Sequence, residues 1–201
     1  ASRVHLSTIH SFCFYILKSE GYIFEILSGK EQIIFIKDIL KELKIKDISI
    51  GMILNEIRLA RNNLIDVDEF RILYENDKTM QQVADVYEAY EHKLSIRMFL
   101  DFDSLLVETY KLFKDDKEVR DKYRSIFQHI SIDEFQDSNV IQFEILKLLI
   151  GDHNKVNGSL FCISDDFQCI FSFTGASIGN ILNFKSIFPE SEQYILNWNY
   201  R

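Results

Sequence analysis

The chain has 201 residues, of which 47% are apolar, and its formal net charge is −8 at pH 7. This length and composition predict a folded globular protein with a substantial core, and one Pro and seven Gly argue against long disordered linkers. The acidic balance argues against a protein that binds nucleic acid through its overall charge, although it permits a local basic patch.

The sequence gives no indication of a membrane span or a secretion signal. No apolar run approaches the roughly 20 residues that span a bilayer, and no basic leader precedes an apolar segment. The three cysteines, Cys13, Cys162 and Cys169, do not have metal-ligand spacing. We therefore expect reduced, semi-buried thiols in a cytoplasmic protein without a membrane partner.

The first part of the chain is predicted to be helical after one short strand. Residues 4–8 alternate in polarity like a strand, and helical spacing of apolar residues then runs from His10 to about Gly21. The same spacing predicts helices at residues 31–43 and 49–62.

Two further helices are predicted in the middle of the chain. Thr79 and Gln82 form a capping-box pattern ahead of an apolar stripe made of Val83, Val86, Tyr87, Tyr90 and Leu94. Asp103 and Ser104 mark the start of the next helix. Asp101 and Asp103 are interpreted as helix caps without a chemical role.

The most informative stretch is residues 130–137, Ile-Ser-Ile-Asp-Glu-Phe-Gln-Asp. Its alternating apolar residues end in the adjacent carboxylates Asp133 and Glu134, and an amphipathic helix follows, with Gly151 behind it. Residues 160–163 form a second apolar run that also leads into polar residues, namely Ser164, Asp165, Asp166 and Gln168. Two strands with acidic exits predict a catalytic sheet edge, where nucleotide enzymes place a magnesium ligand and a base that polarises water.

This order of elements predicts an α/β fold. The chain begins with one strand, continues with a long run of helices and then returns to strand–helix alternation. The simplest explanation is a parallel sheet that an all-helical insertion interrupts at residues 21–100.

Five segments of the chain carry recognisable motifs: Thr8-Ile-His-Ser-Phe, Asp101-Phe-Asp-Ser-Leu-Leu, Asp133-Glu-Phe-Gln-Asp, residues 164–176 and Asn199-Tyr-Arg. In this order they resemble the motifs of UvrD/Rep-type superfamily 1 DNA helicases. The third segment resembles the Walker B motif of that family, and the last two resemble its motifs III and IV. Motif III departs from the family pattern at four positions: Ser164, Cys169, Phe171 and Thr174.

The resemblance implies an incomplete parallel-sheet core of the RecA-like, P-loop-NTPase-like type, with an inserted all-helical subdomain. Residues 1–20 would begin core domain 1A with the motif Ia strand and helix. Residues 21–100 would form the 1B-like insertion, and residues 101–201 would complete domain 1A with motifs II, III and IV. No Gly-x-x-x-x-Gly-Lys-Ser/Thr motif occurs in the sequence, so we expect an internal fragment that is inactive alone.

The resemblance also implies roles in ATP hydrolysis for four residues. Asp133 would be linked to Mg²⁺, and Glu134 would orient the attacking water. Gln168 would contact the γ-phosphate, and Arg201 would stabilise charge on the transferred phosphoryl group. Without the motifs, the same residues would be interpreted as helix N-terminal acids, a surface glutamine and a solvated terminal arginine.

A second set of residues is implied in DNA binding. Thr8, His10 and Ser11 would bind the DNA backbone, and Phe171 and Phe173 would stack on unpaired bases. The alternatives are a local helix cap for His10 and a core position for Phe171.

By resemblance, the parent protein is expected to be an ATP-dependent DNA helicase that moves 3′ to 5′ on single-stranded DNA. Its cofactors would be ATP and Mg²⁺, and its partner would be DNA, including single strands and junctions. Two alternatives stay open: the helicase arm of an AddA/RecB-type helicase-nuclease, and a non-catalytic helicase-like scaffold domain.

Overall fold

The computed structural model describes residues 4–151, 158–165, 168, 179, 183–196 and 198. The helices in this part of the chain are α1 (Ile9–Ser19), α2 (Gly29–Glu42), α3 (Ile50–Asn62), α4 (Val67–Leu73), α5 (Lys78–Arg97), α6 (Phe102–Asp115), α7 (Lys117–Ile126), α8 (Val140–Ile150) and α9 (Phe184–Ile187). The strands are β1 (Glu25–Ile26), β2 (Phe99–Leu100), β3 (His129–Ile132) and β4 (Ser159–Cys162). Among the described helices, none is long and apolar enough to cross a bilayer.

The strands form two separate parallel pairs. β1 pairs with β2 and joins the two ends of the predicted helical insertion, whereas β3 pairs with β4. The sequence analysis missed β1 and β2, because two residues are too few to show an alternating pattern, and it also missed α4 and α7. The helix-rich structure with small parallel sheets agrees with the predicted α/β class, and the RecA-like form of the core stays a prediction.

Residues 4–8 do not form the strand that their alternating pattern predicts. They have no regular secondary structure, and Val4 and Leu6 are 79% and 95% exposed. A strand needs a neighbour that pairs with its amides and carbonyls, and this segment belongs to neither of the two strand pairs of the described residues. Thr8 instead serves as the N-cap of α1.

The α5 helix begins earlier than the sequence pattern predicts. Its N-cap is Asp77, whose Oδ1 accepts hydrogen bonds from the amides of Thr79 (2.9 Å) and Met80 (3.1 Å). The capping box predicted from Thr79 and Gln82 is therefore wrong, because Thr79 lies inside the first turn and Asp77 already satisfies the free amides there. The apolar stripe predicted for this helix is confirmed, since all of its residues are buried.

Three hydrophobic clusters form the core of the described residues. The first lies among α2, α3, α4 and α5, and all its buried residues belong to positions 27–94. The second lies between α1, α6, α7 and α8. The third consists of Phe135, Phe143, Leu146 and Phe188, which pack against one face of the β3–β4 pair.

Gly158 allows β4 to begin in close contact with the chain ahead of β3. A Cβ atom at this position would lie 1.9 Å from the carbonyl oxygen of Gln128, and the neighbouring Ser159 amide donates to that same oxygen at 2.7 Å. A larger residue would therefore push the start of β4 away from β3.

Asp101 is a buried centre of hydrogen bonds between α6 and the helices α2, α3 and α5. It accepts from the Ser104 amide at 2.8 Å, which confirms its predicted role as a helix cap. It also accepts from Arg61 (2.7 Å), Tyr90 (2.8 Å) and Gln32 (3.1 Å). Burial alone would raise the pKa of Asp101, but the Arg61 charge and the Ser104 hydrogen bonds lower it to about 2.

Candidate active site

The carboxyl ends of β3 and β4 lie side by side. The strands are parallel and in register over four residue pairs. Just beyond them, the Ile163 amide donates to the Ile132 carbonyl and the Phe135 amide donates to the Ile163 carbonyl, both at 2.9 Å. The polar residues that follow the two strands therefore meet at one edge, as the sequence pattern predicts.

Glu134 leaves β3 in a left-handed backbone conformation, with φ 51° and ψ 44°. Its amide donates to Oδ1 of Asp133 at 3.0 Å. A left-handed residue other than glycine costs on the order of 1–3 kcal/mol and persists only where its surroundings hold it. The turn leaves the side chains of Asp133 and Glu134 exposed at the end of the strand, where a ligand can reach both carboxylates.

Gln136 connects the exits of the two strands, and the sequence analysis did not single it out. Its side chain is 1% exposed. Nε2 donates to Oε2 of Glu134, and Oε1 accepts from the Asp165 amide at 3.2 Å. An amide side chain can make both bonds because it carries a donor and an acceptor. The sequence signal that could have found it is a polar residue that directly follows the acid pair and Phe135.

Gln168 lies at the same edge. Its Nε2 donates to Oδ2 of Asp165 at 2.5 Å, and its amide donates to the Asp165 carbonyl at 3.1 Å. Hydrogen bonds thus run from Glu134 through Gln136 and Asp165 to Gln168. The structure brings together the predicted base and the predicted γ-phosphate contact.

Asp137 contributes a further carboxylate near Glu134. Burial, and then the charge of Glu134, raises its pKa. Its Oδ1 is buried and makes no hydrogen bond within the described part of the chain. The helix that follows is capped by Asn139, whose Oδ1 accepts from the Gln142 amide at 3.0 Å.

The donor set at this edge suits Mg²⁺. This ion is usually held by one or two carboxylates, while water and substrate phosphates fill its other positions. Residues 4–151 and the other described positions contain no cluster of three or more His, Cys, Asp or Glu side chains that could hold a metal alone. An exposed carboxylate such as that of Asp133, sharing the ion with a bound nucleotide, fits this pattern.

The residues predicted to bind DNA at the start of the chain lie around the first turn of α1. The Thr8 hydroxyl accepts from the Ser11 amide at 3.2 Å and donates to the Ser11 hydroxyl at 3.0 Å, and both residues are exposed. His10 is half-buried with its ring edge-on to Phe102, and burial lowers its pKa. His10 is therefore not the cap that the alternative interpretation predicted, because Thr8 has that role.

Phe171, Phe173 and Arg201 lie outside the described residues. Their roles, like those of the other site residues, stay predictions.

Known proteins resemble this chain along its whole length. The sequence profile of the UvrD/REP helicase N-terminal domain matches residues 1–189. The ATP-dependent DNA helicase PcrA of Staphylococcus epidermidis is 35% identical over 209 aligned residues, which cover 100% of this chain and 28% of that protein. The proteins of the same name from Bacillus subtilis and Staphylococcus aureus are 35% and 34% identical, with the same coverage. The chain thus spans 28% of the length of these curated relatives.

Proposed function

Because the chain belongs to the family of the UvrD/REP helicase N-terminal domain, we propose that it provides part of the ATP-hydrolysing site and of the DNA-binding surface of an ATP-dependent DNA helicase. The full-length protein would move 3′ to 5′ on single-stranded DNA and couple ATP hydrolysis to unwinding, at junctions among other substrates, in DNA repair. The chain alone would be inactive, since its sequence contains no Gly-x-x-x-x-Gly-Lys-Ser/Thr motif to hold the phosphates. A cytoplasmic location is part of the proposal, and the free thiols of Cys13 and Cys162 support it.

The observation that carries this proposal is the hydrogen-bonded edge of β3 and β4. Asp133 would hold Mg²⁺, which neutralises phosphate charge when it is bound with ATP. Glu134 would accept a proton from the attacking water, and its exposed carboxylate beside Asp133 supports this role. Gln168, linked to Glu134 through Asp165 and Gln136, would contact the γ-phosphate.

Other residues would complete the two sites. Arg201 would stabilise the transferred phosphoryl group. Thr8, His10 and Ser11 would contact the DNA backbone, while Phe171 and Phe173 would stack on unpaired bases. The exposure of Thr8 and Ser11 supports backbone contacts at the first turn of α1.

Replacement of Glu134 with Gln in the full-length protein tests this function. The exchange keeps the side-chain size but removes the charge that polarises water, so DNA-stimulated ATP hydrolysis should fall about 10²–10⁴-fold. Nucleotide binding, measured by titration with a fluorescent ATP analogue, should persist. The matched control is Glu144→Gln, which makes the same exchange at an ion pair on α8 and should keep the original rate. Unchanged hydrolysis in Glu134→Gln would reject the catalytic role and favour the scaffold alternative.

A further inference from the structure

A cleft lies where the start of β1 and the strand β2 meet the helices α5 and α6. Its volume is about 260 Å³, below the range of about 300–1,000 Å³ that is typical of pockets for drug-sized ligands. Most of the side chains that line it are apolar, and they include Tyr22, Phe24, Leu94, Met98, Leu100 and Val107. The cleft therefore has room for one large side chain and not for a nucleotide or an organic cofactor.

Met98, at the edge of the cleft, has a backbone conformation that favours another residue. It caps the C-terminus of α5 in the left-handed region, with φ 52° and ψ 42°, where glycine is the usual residue at a helix end. Its side chain is 59% exposed, and Ile23, which also lines the cleft, is 81% exposed. The fold gains little from apolar side chains that lie in water. A flexible methionine side chain is, however, well suited to contact with a binding partner.

Two carboxylates give the lining of the cleft a negative charge. Among the described residues that line it, the cation is Arg61, and Asp101 already pairs with this guanidinium at 2.7 Å. Glu91 accepts both of its hydrogen bonds from Arg61 through Oε1, so its Oε2 accepts none within the described part of the chain. Glu108 pairs with the exposed Lys111 at 2.9 Å, and exposed pairs of this kind contribute little. A cationic group can therefore bind at both carboxylates.

We propose that this cleft docks a partner protein through an aromatic side chain that is flanked by Lys or Arg. The aromatic ring enters the apolar cleft, and the neighbouring cation pairs with Glu91 or Glu108. Aromatic anchors in a pocket contribute much of the binding free energy at protein interfaces, and charged groups at the rim add specificity. This inference goes beyond the proposed function, because it requires neither ATP nor DNA.

Charge complementarity decides between the possible occupants. The two carboxylates repel the phosphates of a nucleic acid or of an anionic membrane, since like charges at an interface are unfavourable. A second copy of this chain is disfavoured for a similar reason, because each copy has a net charge of −8 and the two would repel each other. A basic segment of a different protein matches both the charge and the apolar lining.

Three labelled peptides test the proposal on this chain by fluorescence anisotropy. The first peptide, Ala-Lys-Trp-Lys-Ala, carries the proposed anchor and cations. The second, Ala-Glu-Trp-Glu-Ala, reverses the charge, and the third, Ala-Lys-Ala-Lys-Ala, lacks the aromatic ring. The first should bind about ten-fold more tightly than either of the others. In an amide NMR spectrum of the chain, the largest shifts that it causes should lie at residues of the cleft.

The exchange Met98→Gly tests the apolar edge of the cleft. It should weaken binding of the first peptide about five-fold or more, as is typical of a central interface residue. The melting temperature should stay the same or rise, because glycine adopts the left-handed conformation without strain. The matched control is Lys44→Gly, which makes the same backbone change at a residue with φ 58° outside the cleft and should keep the original affinity.

The exchange Glu108→Gln tests the charge at the cleft. It should weaken binding of the first peptide about two- to five-fold, the size of effect expected for an exposed ion pair. Glu144→Gln is the matched control, because Glu144 forms the same kind of pair with a lysine three residues away and does not line the cleft. It should leave the affinity unchanged.

Several results would overturn the proposal. They are equal affinity for the three peptides, unchanged affinity of Met98→Gly, and NMR shifts that lie outside the cleft. If the full-length protein did not bind the first peptide while this chain did, the occupant would be another segment of the same protein. If the chain formed dimers that Met98→Gly abolished, as measured by sedimentation velocity, the occupant would be a second copy.

Discussion

At the end of β3, the side chain of Gln136 holds two strand exits in one arrangement. It binds the Glu134 carboxylate and the Asp165 amide from a buried position, and Glu134 itself has a left-handed backbone. Without the bond to Gln136, the carboxylate of Glu134 could adopt other rotamers. The amide of Gln136 therefore acts as a positioning group for the proposed base, and it links that base to the residue that holds Gln168.

We expect Gln136→Met in the full-length protein to lower kcat for ATP hydrolysis about 10- to 100-fold, as is typical when the partner that orients a functional ligand is lost. The fall in kcat is expected because Met cannot hold Glu134. KM for ATP should change little, because Met has a similar size. Steady-state kinetics with DNA in excess measures both constants.

The matched control for this variant is Gln81→Met. Gln81 donates to the carbonyls of Arg71 and Tyr74, each at 2.8 Å, far along the chain from the β3–β4 edge. Its exchange should lower stability and leave kcat unchanged. An equal loss of kcat in the two variants would show that unfolding, and not the position of Glu134, is the cause.

At the scale of elements, the start of α6 is the point where the helices α2, α3 and α5 meet α6. Asp101 draws hydrogen bonds from α2, α3 and α5, and Arg61 is itself buried in this cluster. Asp103 lies beside it in the first turn of α6. Burial, and then the charge of Asp101, raises the pKa of Asp103 to about 6.

This raised pKa predicts that Asp103→Asn stabilises the protein in a pH-dependent way. The folded protein binds the Asp103 proton more tightly than the unfolded chain, so ionisation of Asp103 destabilises the fold as pH rises from 3.8 through about 6. At pH 7 the Asn variant should raise the free energy of unfolding by about 1–3 kcal/mol, and at pH 4 by much less.

Urea unfolding at pH 4 and pH 7 checks this difference. Asp101 does not affect this comparison. Its stabilising effect is present above pH 3.8 and is lost only as the pH falls towards about 2, the lowered pKa of Asp101. Asp47→Asn, at an exposed position outside the cluster, should give no such pH dependence. If Asp103→Asn raised the free energy of unfolding equally at both pH values, the raised pKa of Asp103 would be contradicted as its cause.

At the scale of the whole molecule, the described chain contains one cluster that is nearly self-contained. The buried residues of the first hydrophobic cluster lie within positions 27–94, and the β1–β2 pair joins the two ends of this segment. The division into a core and an inserted helical subdomain at residues 21–100 stays a prediction, and this cluster is the observation that supports it.

We expect the segment of residues 22–101 to fold alone into a helical unit. Its core is formed within the segment, and domains of roughly 60 residues can be stable by themselves. A cooperative thermal transition by circular dichroism, with dispersed amide signals in an NMR spectrum, would be the expected result. A segment of residues 29–97, which lacks both strands, should melt at a lower temperature. A non-cooperative transition in the longer segment would show that its core needs the rest of the chain.

The sequence by itself determined the features that depend on neighbouring residues. Helical spacing located α2, α3, α5 and α8, and two apolar runs with acidic exits located β3, β4 and their shared edge, because burial of a helix or strand face imposes its period on the sequence. The motifs between Thr8 and Arg201 indicated the family through their residue types and their order along the chain, and the match of the family profile to residues 1–189 agrees with this.

Only the tertiary structure decided the features that depend on partners far away in sequence. Residues 4–8 alternate like a strand but have no regular secondary structure, because formation of a strand depends on a neighbour that their own sequence cannot provide. The bond between Arg61 and Asp101 joins positions 40 residues apart, and Gln136 reaches Asp165 across 29 residues. These contacts determine how the proposed base is held and how α3 is bonded to the start of α6, and they arise only when the strands and helices have packed together.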